Sequence, residues 1–325
     1  MTAPAILMPA PMHHSVAAGL EGHFSVHRLW EQDDPAAFLA AHGREIRALA
    51  VSTLAGSVGE ALFARLPALE IVSNFGVGYD NVDVAAAAAR GLVVTNTPGV
   101  LDAEVADLTI ALLLATIRRL PQAERYLRDG RWLEASFPLS PTLRGRRVGI
   151  LGLGGIGKQI ARRLEGFDVA IAYHGRTRQP DVPYPWHASP RALAEVCDTL
   201  IAILPGGPAT HHIVDAQVLE ALGPDGVFIN VARGSVVDEQ ALIAALAQGR
   251  ILAAGLDVYP QEPEVPEALL ALPNAVLLPH VASASAHTRT AMGQLVVDNL
   301  ASWFTQGRPL TPVAETPFPP AKASQ

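Results

Sequence analysis

The strongest constraint on the fold is an apolar segment that runs directly into spaced glycines. Residues 147–151 have the composition of a β-strand, and Gly152, Gly154 and Gly157 follow in the pattern G-x-G-x-x-G. In a nucleotide-binding unit these glycines permit a tight turn, close approach of the backbone to a diphosphate, and close packing of a helix on the strand. A bare strand–helix turn is the alternative. The complete strand–glycine–helix context favours a dinucleotide site formed by Gly152, Leu153, Gly154, Gly155, Ile156 and Gly157.

Short apolar runs alternate with helical patterns along most of the chain, which is typical of βαβ units and a parallel sheet. One series of predicted strands comprises residues 5–8, 48–52, 69–73 and 92–95. A second series comprises residues 147–151, 169–173, 200–204, 227–231, 253–257 and 276–278. Helices are predicted between them, for example over 156–164, 239–248 and 286–304, and an irregular tail over 308–325.

The second series of strands begins well inside the chain, which indicates an inserted domain. The predicted fold class is α/β, with a Rossmann-type doubly wound parallel sheet inserted into a second, flavodoxin-like α/β substrate domain. We expect residues 1–97 and 286–325 to form the substrate domain and residues 98–285 to form the dinucleotide-binding domain. Two chain crossings would then form a hinge, with a cleft in which a substrate is enclosed.

Composition argues against several functional classes. Half of the 325 residues are apolar, and a net charge of −7 offers no basic surface for nucleic acid. Cys197 is the only cysteine, so no intramolecular disulfide can form, and no His or Cys group has metal-ligand spacing. No basic residue precedes Arg28, and the apolar stretch 108–117 is too short for a bilayer. We expect a cytoplasmic protein that binds no nucleic acid, membrane or metal.

The choice of cofactor depends on the end of the next predicted strand, where an acidic residue would bind the ribose hydroxyls of NAD(H). The segment there is His174-Gly175-Arg176-Thr177-Arg178, which contains no carboxylate. Its two guanidinium groups and its hydroxyl can instead bind the 2′-phosphate of NADP(H), since arginine suits bidentate phosphate contact. A solvated basic turn is the alternative. The absence of the acid favours NADP(H), with NAD(H) as the second choice.

Three ionisable residues follow predicted strands, where α/β sheets place their ligands. Arg233 follows the strand 227–231, Glu262 lies beyond the strand 253–257, and His280 follows the strand 276–278. Reduction of a 2-oxoacid needs a cation for the carboxylate and ketone, a proton donor near neutral pH, and a carboxylate that keeps the donor protonated. Arg233, His280 and Glu262 are predicted to fill these roles. Taken singly, each could be a surface or structural residue, but their order after a dinucleotide motif favours catalysis.

Several segments now identify a resemblance to the D-isomer-specific 2-hydroxyacid dehydrogenases. They are residues 74–83 (NFGVGYDNVD), 96–100 (NTPGV), 152–157, 230–234 (NVARG), 254–258 (AGLDV), Glu262-Pro263 and Pro279-His280. The detail is most similar to the NADPH-preferring glyoxylate/hydroxypyruvate reductase branch. The departures are small: residues 282–285 read ASAS where family members often carry GSAT, and residues 73–75 (SNF), before the loop that contains Val77 and Gly78, leave the side-chain pocket for the substrate undefined.

The resemblance implies further roles for individual residues. Backbone N–H groups of Val77 and Gly78 would hold the substrate carboxylate together with Arg233, and Leu54 would border the substrate. The implied cofactor contacts, beyond the glycine turn and the segment 174–178, are Val77, Thr109, Leu204, Pro205, Val231, Ala232, Arg233, Asp257, His280, Ala282 and Ser283. The region of Trp132 and Phe137 implies a homodimer.

The preferred function is therefore NADPH-dependent reduction of glyoxylate to glycolate and of hydroxypyruvate to D-glycerate, with His280 as the proton donor. One alternative is a bulkier 2-oxoacid such as an arylpyruvate, or a phosphorylated one. Another is a nucleotide-sensing binding module of the kind that acts in transcriptional corepression. The sequence leaves open which 2-oxoacid is used, how strictly NADPH is preferred, and the direction of the reaction in the cell.

Overall fold

The computed structural model describes residues 3–319, and the chain divides into two compact units. The first unit runs to Leu101 and resumes at Ser285, and the second unit spans Asp102–Ala284. Each unit contains a parallel β-sheet. Within residues 3–319, no helix combines the length and the apolar character that crossing a bilayer requires.

The first unit contains a five-stranded parallel sheet in the order β2-β1-β3-β4-β5. This is the flavodoxin-like order. Its strands are β1 (Ala5–Met8), β2 (Ser25–Arg28), β3 (Ile46–Val51), β4 (Ile71–Asn74) and β5 (Val93–Thr95). The core strands are almost wholly buried, whereas β2 is a polar edge strand with no fully buried residue.

The second unit contains a seven-stranded parallel sheet in the order β12-β11-β10-β9-β6-β7-β8. Its strands are β6 (Arg147–Leu151), β7 (Ala170–His174), β8 (Trp186–His187), β9 (Thr199–Ala202), β10 (Val227–Asn230), β11 (Ala253–Leu256) and β12 (Ala275–Leu277). The strand order reverses between β6 and β9, which is the point at which doubly wound sheets bind dinucleotides. The predicted α/β class is confirmed.

Helices connect these strands and cover the sheets. They are α1 (His14–Glu21), α2 (Pro35–His42), α3 (Glu60–Phe63), α4 (Val84–Ala89), α5 (Asp102–Arg118), α6 (Leu120–Arg128), α7 (Gly155–Leu164), α8 (Pro190–Ala194), α9 (Ala216–Leu222), α10 (Glu239–Ala247), α11 (Glu267–Leu270) and α12 (Ala286–Gln306). Capping side chains define where several helices begin. Asp238 accepts a hydrogen bond from the N–H of Ala241 at the start of α10, and Ser285 accepts one from the N–H of Thr288 at the start of α12.

The core of the second unit lies on both faces of its sheet. Phe228 and Ile229, adjacent in β10, are both fully buried, but they belong to different apolar clusters. This is the alternation expected for a strand covered by helices on each side. Because successive residues point to opposite faces, the continuous apolar run of β10 encodes a central strand.

Every predicted strand is present, with its ends moved by at most two residues. Two short edge strands, β2 and β8, were not predicted. The first has the polar sequence SVHR, and the second is only two residues long. Neither carries a buried apolar run, so the apolar pattern that reveals a central strand is missing from both.

Candidate active site

The glycine turn between β6 and α7 requires glycine at two positions, for different reasons. Gly152 has a φ of +99°, and a Cβ there would lie 2.8 Å from the carbonyl oxygen of Ile203. A Cβ at Gly157 would lie 2.1 Å from the carbonyl oxygen of Gly152. Gly154 faces open space directly before α7. Since the first N–H groups of a helix lack intrahelical partners, this turn fits a diphosphate.

The segment after β7 presents its cationic groups to solvent. Arg176, Thr177 and Arg178 are exposed, and His174 is half-buried at the end of the strand. Nδ1 of His174 donates a hydrogen bond of 2.8 Å to the carbonyl oxygen of His187. This contact fixes the orientation of the imidazole ring.

Gln179 is a residue of this site that the sequence did not reveal. Its side-chain amide donates to the carbonyl oxygen of Leu153 in the glycine turn, at 2.8 Å. Its backbone N–H donates to the hydroxyl of the fully buried Tyr173, at 2.7 Å. Gln179 therefore links the basic segment to the glycine turn by a hydrogen bond. No local sequence pattern predicts this contact for a glutamine.

Arg233 is held at the end of β10 by the buried residue Asn230. The side-chain oxygen of Asn230 accepts from the N–H of Ala232, and its amide donates to the carbonyl oxygen of Arg233, both at 3.1 Å. The Arg233 guanidinium also donates to the carbonyl oxygen of Ala232, at 2.8 Å. Val231 and Ala232 are buried in this turn. Asn230 was not predicted as a site residue, although it fixes the backbone from which Arg233 projects.

His280 and Glu262 form a direct hydrogen-bonded pair beyond β12 and β11. Nδ1 of His280 lies 2.6 Å from Oε2 of Glu262, and Oε1 of Glu262 accepts from the N–H of Tyr259 at 3.0 Å. Burial alone would raise the pKa of Glu262, but the hydrogen bonds from His280 and Tyr259 and the charge of Arg233 lower it. The carboxylate therefore stays ionised beside the imidazole.

The backbone of His280 is in the left-handed region, with a φ of 52°, which is uncommon for a residue that is not glycine. The buried Asp257, directly after β11, stabilises this turn. Its two carboxylate oxygens accept from the N–H groups of Val281 at 2.8 Å and Ala282 at 2.9 Å. Burial raises the pKa of Asp257, and these two hydrogen bonds oppose that change. The geometry gives Asp257 a role in shaping the loop that carries His280.

The remaining predicted cofactor residues of the second unit lie in three places. Leu204 and Pro205 follow β9, and Ser283 is half-buried in the turn that leads to α12. Thr109 is fully buried in α5, where its hydroxyl donates to the carbonyl oxygen of Val105 at 2.7 Å. The Thr109 hydroxyl proton is therefore used in a hydrogen bond within α5.

In the first unit, carbonyl groups of the loop after β4 accept hydrogen bonds from two asparagine side chains. The amide of Asn74 donates to the carbonyl oxygens of Gly76 and Gly78, at 3.3 and 3.0 Å. The amide of Asn96 donates to the carbonyl oxygen of Val77, at 2.9 Å. Because N–H and C=O point in opposite directions across a trans peptide, the N–H groups of Val77 and Gly78 face away from these donors. Such an arrangement can bind an anion.

Leu54, the other substrate-bordering residue predicted in the first unit, lies in the 3-10 turn Thr53–Ala55 after β3. It is 73% exposed. Among residues 3–319, no group of three or more His, Cys, Asp or Glu side chains is arranged to hold a metal ion.

Comparison with known proteins bears directly on this site. Residues 110–282 match the family model described as D-isomer specific 2-hydroxyacid dehydrogenase, NAD binding domain. The chain belongs to this family. It is 46% identical over 308 residues to a glyoxylate/hydroxypyruvate reductase A of Arabidopsis thaliana, which covers 95% of this chain and 98% of that protein.

Two further relatives extend the comparison. A hydroxyphenylpyruvate reductase of Plectranthus scutellarioides is 46% identical over 314 residues, covering 96% of this chain and 100% of that one. The crystal structure of an NADPH-dependent glyoxylate/hydroxypyruvate reductase from Sinorhizobium meliloti, in complex with NADP and malonate, is 56% identical. It superposes with a TM-score of 0.93, over 99% of this chain and 100% of that one. The resemblance predicted from sequence is confirmed, and the chain is an oxidoreductase of this family.

Proposed function

We propose that this enzyme reduces small 2-oxoacids with NADPH, converting glyoxylate to glycolate and hydroxypyruvate to D-glycerate. The observation that carries the proposal is the His280–Glu262 pair, which lies beyond neighbouring strands of a dinucleotide-binding sheet. The Sinorhizobium and Arabidopsis relatives support the choice of substrates, because both are named for glyoxylate and hydroxypyruvate.

NADP(H) fits the residues of the second unit. The open face at Gly154 would take the diphosphate, and Arg176, Thr177 and Arg178 with His174 would hold the 2′-phosphate. When bound, the cofactor supplies the hydride that the keto carbon receives. The other proposed contacts are those predicted from the resemblance: Val77, Thr109, Leu204, Pro205, Val231, Ala232, Arg233, Asp257, His280, Ala282 and Ser283. The NADP complex of the Sinorhizobium relative supports this choice of cofactor.

His280 is proposed to donate the proton that the keto oxygen acquires. Glu262 occupies its Nδ1, so Nε2 is the nitrogen available to the substrate. The ionised Glu262 stabilises the imidazolium and holds the ring in one orientation, which general acid catalysis requires. After transfer the neutral imidazole keeps its hydrogen bond to Glu262 and regains a proton from solvent.

Arg233 is proposed to bind the substrate carboxylate and to polarise the ketone. A guanidinium can do both because its N–H donors are fixed in a planar fork. The N–H groups of Val77 and Gly78 would complete the carboxylate site, and Leu54 would border the substrate side chain. The hydrogen bonds from the amides of Asn74 and Asn96 to carbonyl oxygens of the loop after β4 support the role of these N–H groups.

A spectrophotometric panel tests this function. NADPH and NADH oxidation would be followed at equal concentrations of glyoxylate, hydroxypyruvate, pyruvate and 4-hydroxyphenylpyruvate. The highest kcat/KM is expected for glyoxylate or hydroxypyruvate with NADPH. A preference for NADH would contradict the proposed cofactor, and absence of turnover with every acid would contradict the proposed reaction.

An arylpyruvate is the second candidate substrate, because the Plectranthus relative is named a hydroxyphenylpyruvate reductase. A largely apolar cavity of about 280 Å³ adjoins the pair of His280 and Glu262, with Val265, Leu270 and Leu277 in its wall. A higher kcat/KM for 4-hydroxyphenylpyruvate than for glyoxylate would support this candidate over the first.

We also propose that the enzyme is a homodimer. After α6, the second unit exposes 67% of Trp132, 94% of Leu133 and 99% of Leu139. Large apolar side chains clustered on one surface segment mark an interaction site. Light scattering coupled to size-exclusion chromatography should give twice the mass of the chain, and replacement of Leu133 and Leu139 by Ser should shift it toward the monomer. A monomeric mass for the unaltered protein would contradict the proposal.

A further inference from the structure

The second unit places a carboxylate against the glycine turn. Asp102 begins α5, and its Oδ2 lies 2.3 Å from the position that a Cβ would take at Gly155. Any larger residue at Gly155 would displace the carboxylate, since real Cβ atoms do not approach oxygen so closely. Gly155 therefore leaves room for the Asp102 carboxylate.

The position of Asp102 beside α7 is fixed by packing between α5 and α7. Arg163 of α7 donates to a carboxylate oxygen of Asp107 at 2.5 Å and to the carbonyl oxygen of Ala103 at 3.2 Å. Ala106 and Ile160 are fully buried in the same apolar cluster. Asp102 thus lies at the N-terminus of α7 because the packing of the two helices holds it there.

The N-terminus of α7 is also the proposed diphosphate site. A helix N-terminus carries partial positive charge and attracts anions. The carboxylate of Asp102 and the diphosphate would therefore share one positive helix end. Two like charges a few ångströms apart repel each other, and partial burial reduces their screening by salt.

We propose that Asp102 is an affinity-lowering residue that weakens binding of the dinucleotide diphosphate and speeds release of the oxidised cofactor. The inference rests on the proposed function, because it assumes that a dinucleotide binds at the glycine turn. Asp102 acts on the diphosphate, which NADPH and NADH share. Arg176, in contrast, acts on the 2′-phosphate that only NADPH carries. The two residues therefore differ in which cofactor they affect.

The test is the affinity of Asp102→Asn for three probes, measured by fluorescence or calorimetric titration. The variant should bind NADPH and NADH about threefold to tenfold more tightly than the unaltered protein, with a smaller gain at high salt. Adenosine 2′-monophosphate, which lacks the diphosphate, should bind equally to both. The dissociation rate of NADP⁺ in stopped flow should fall by the same factor as the affinity gain. Glu220→Gln is the control, since Glu220 is an exposed acid on α9 of the same unit, and its affinities should stay unchanged.

A double-mutant cycle tests the steric pairing independently. Gly155→Ala alone should displace the Asp102 carboxylate, because its Cβ would meet Oδ2, and should therefore tighten NADH binding as Asp102→Asn does. The same change in an Asp102→Ala background should leave the affinity for NADH unchanged.

Unchanged or weaker dinucleotide affinity in a folded Asp102→Asn protein would overturn the inference, as would an effect confined to NADPH. Additive effects in the cycle would also count against it. If the unaltered protein bound neither dinucleotide, the proposed function itself would fail.

Discussion

Replacing Glu262 with Gln removes the negative charge next to His280 with little change in size. The Nδ1–Oε2 distance is 2.6 Å, and the side chains of His280 and Glu262 are 36% and 33% exposed. A charge-assisted hydrogen bond contributes about 1.5–3 kcal/mol, and screening by solvent at this exposure reduces it to about 1–2 kcal/mol. Each 1.4 kcal/mol corresponds to about a tenfold change in rate. The kcat/KM for reduction should therefore fall by about fivefold to thirtyfold.

The sign follows from the role of each group. Reduction uses His280 as the acid, and the Glu262 carboxylate accepts the hydrogen bond from its Nδ1. The amide of Gln keeps an acceptor for Nδ1 but removes the negative charge, so kcat/KM should fall.

The assay is kcat/KM for glyoxylate with NADPH, measured under the same conditions for each protein. Glu264→Gln is the control, since Glu264 is an exposed acid in the same loop, and its kcat/KM should equal that of the unaltered enzyme. NADPH affinity should be similar in all three proteins. An unchanged kcat/KM in Glu262→Gln would refute the assignment of Glu262.

Three further predictions concern the cofactor, the core and the thiol. Arg176→Asp should lower the ratio of kcat/KM with NADPH to that with NADH by about tenfold or more, because it places a carboxylate against the 2′-phosphate; a constant ratio would contradict the cofactor assignment. Gly255→Ala should cost about 1–3 kcal/mol in urea unfolding, since its Cβ would lie 2.5 Å from Oγ1 of Thr116 and 2.9 Å from Cγ of Leu112. Burial raises the pKa of Cys197 to about 12, so a disulfide reagent should react with it only after unfolding; rapid reaction of the native protein would contradict this.

The sequence revealed the central strands because they are continuously apolar. Val227, Phe228 and Ile229 are buried on the two faces of the sheet, and a run of large apolar residues is what such a strand needs. The same reasoning fails for β2 and β8. An edge strand pairs through its backbone on one side only, so its side chains can be polar and carry little signal.

The candidate site was predicted through positions at strand ends, which the apolar pattern locates well. Arg233, Glu262 and His280 follow β10, β11 and β12, which are neighbours in the sheet. His280 and Glu262 are in direct contact, and the charge of Arg233 helps to lower the pKa of Glu262. Their catalytic roles stay predictions until the variants are measured.

The supporting residues were not predicted, because their function depends on distant contacts. Gln179 reaches the carbonyl oxygen of Leu153, 26 positions earlier in the chain. Asp102 meets Gly155 only because α5 packs on α7. Asn230 looks like any last residue of a strand, although both ends of its amide hold the following turn. These contacts follow from the tertiary fold and leave no local pattern.

The most direct test of the account is the turnover of His280→Ala with glyoxylate and NADPH. If His280 donates the proton, kcat should fall by about 100-fold to 10,000-fold, while the Kd for NADPH changes by less than about twofold, as expected for a residue that acts on the transition state. His23→Ala, which alters an exposed histidine of the first unit, should keep full activity. Turnover of His280→Ala close to that of the unaltered enzyme would contradict the central claim.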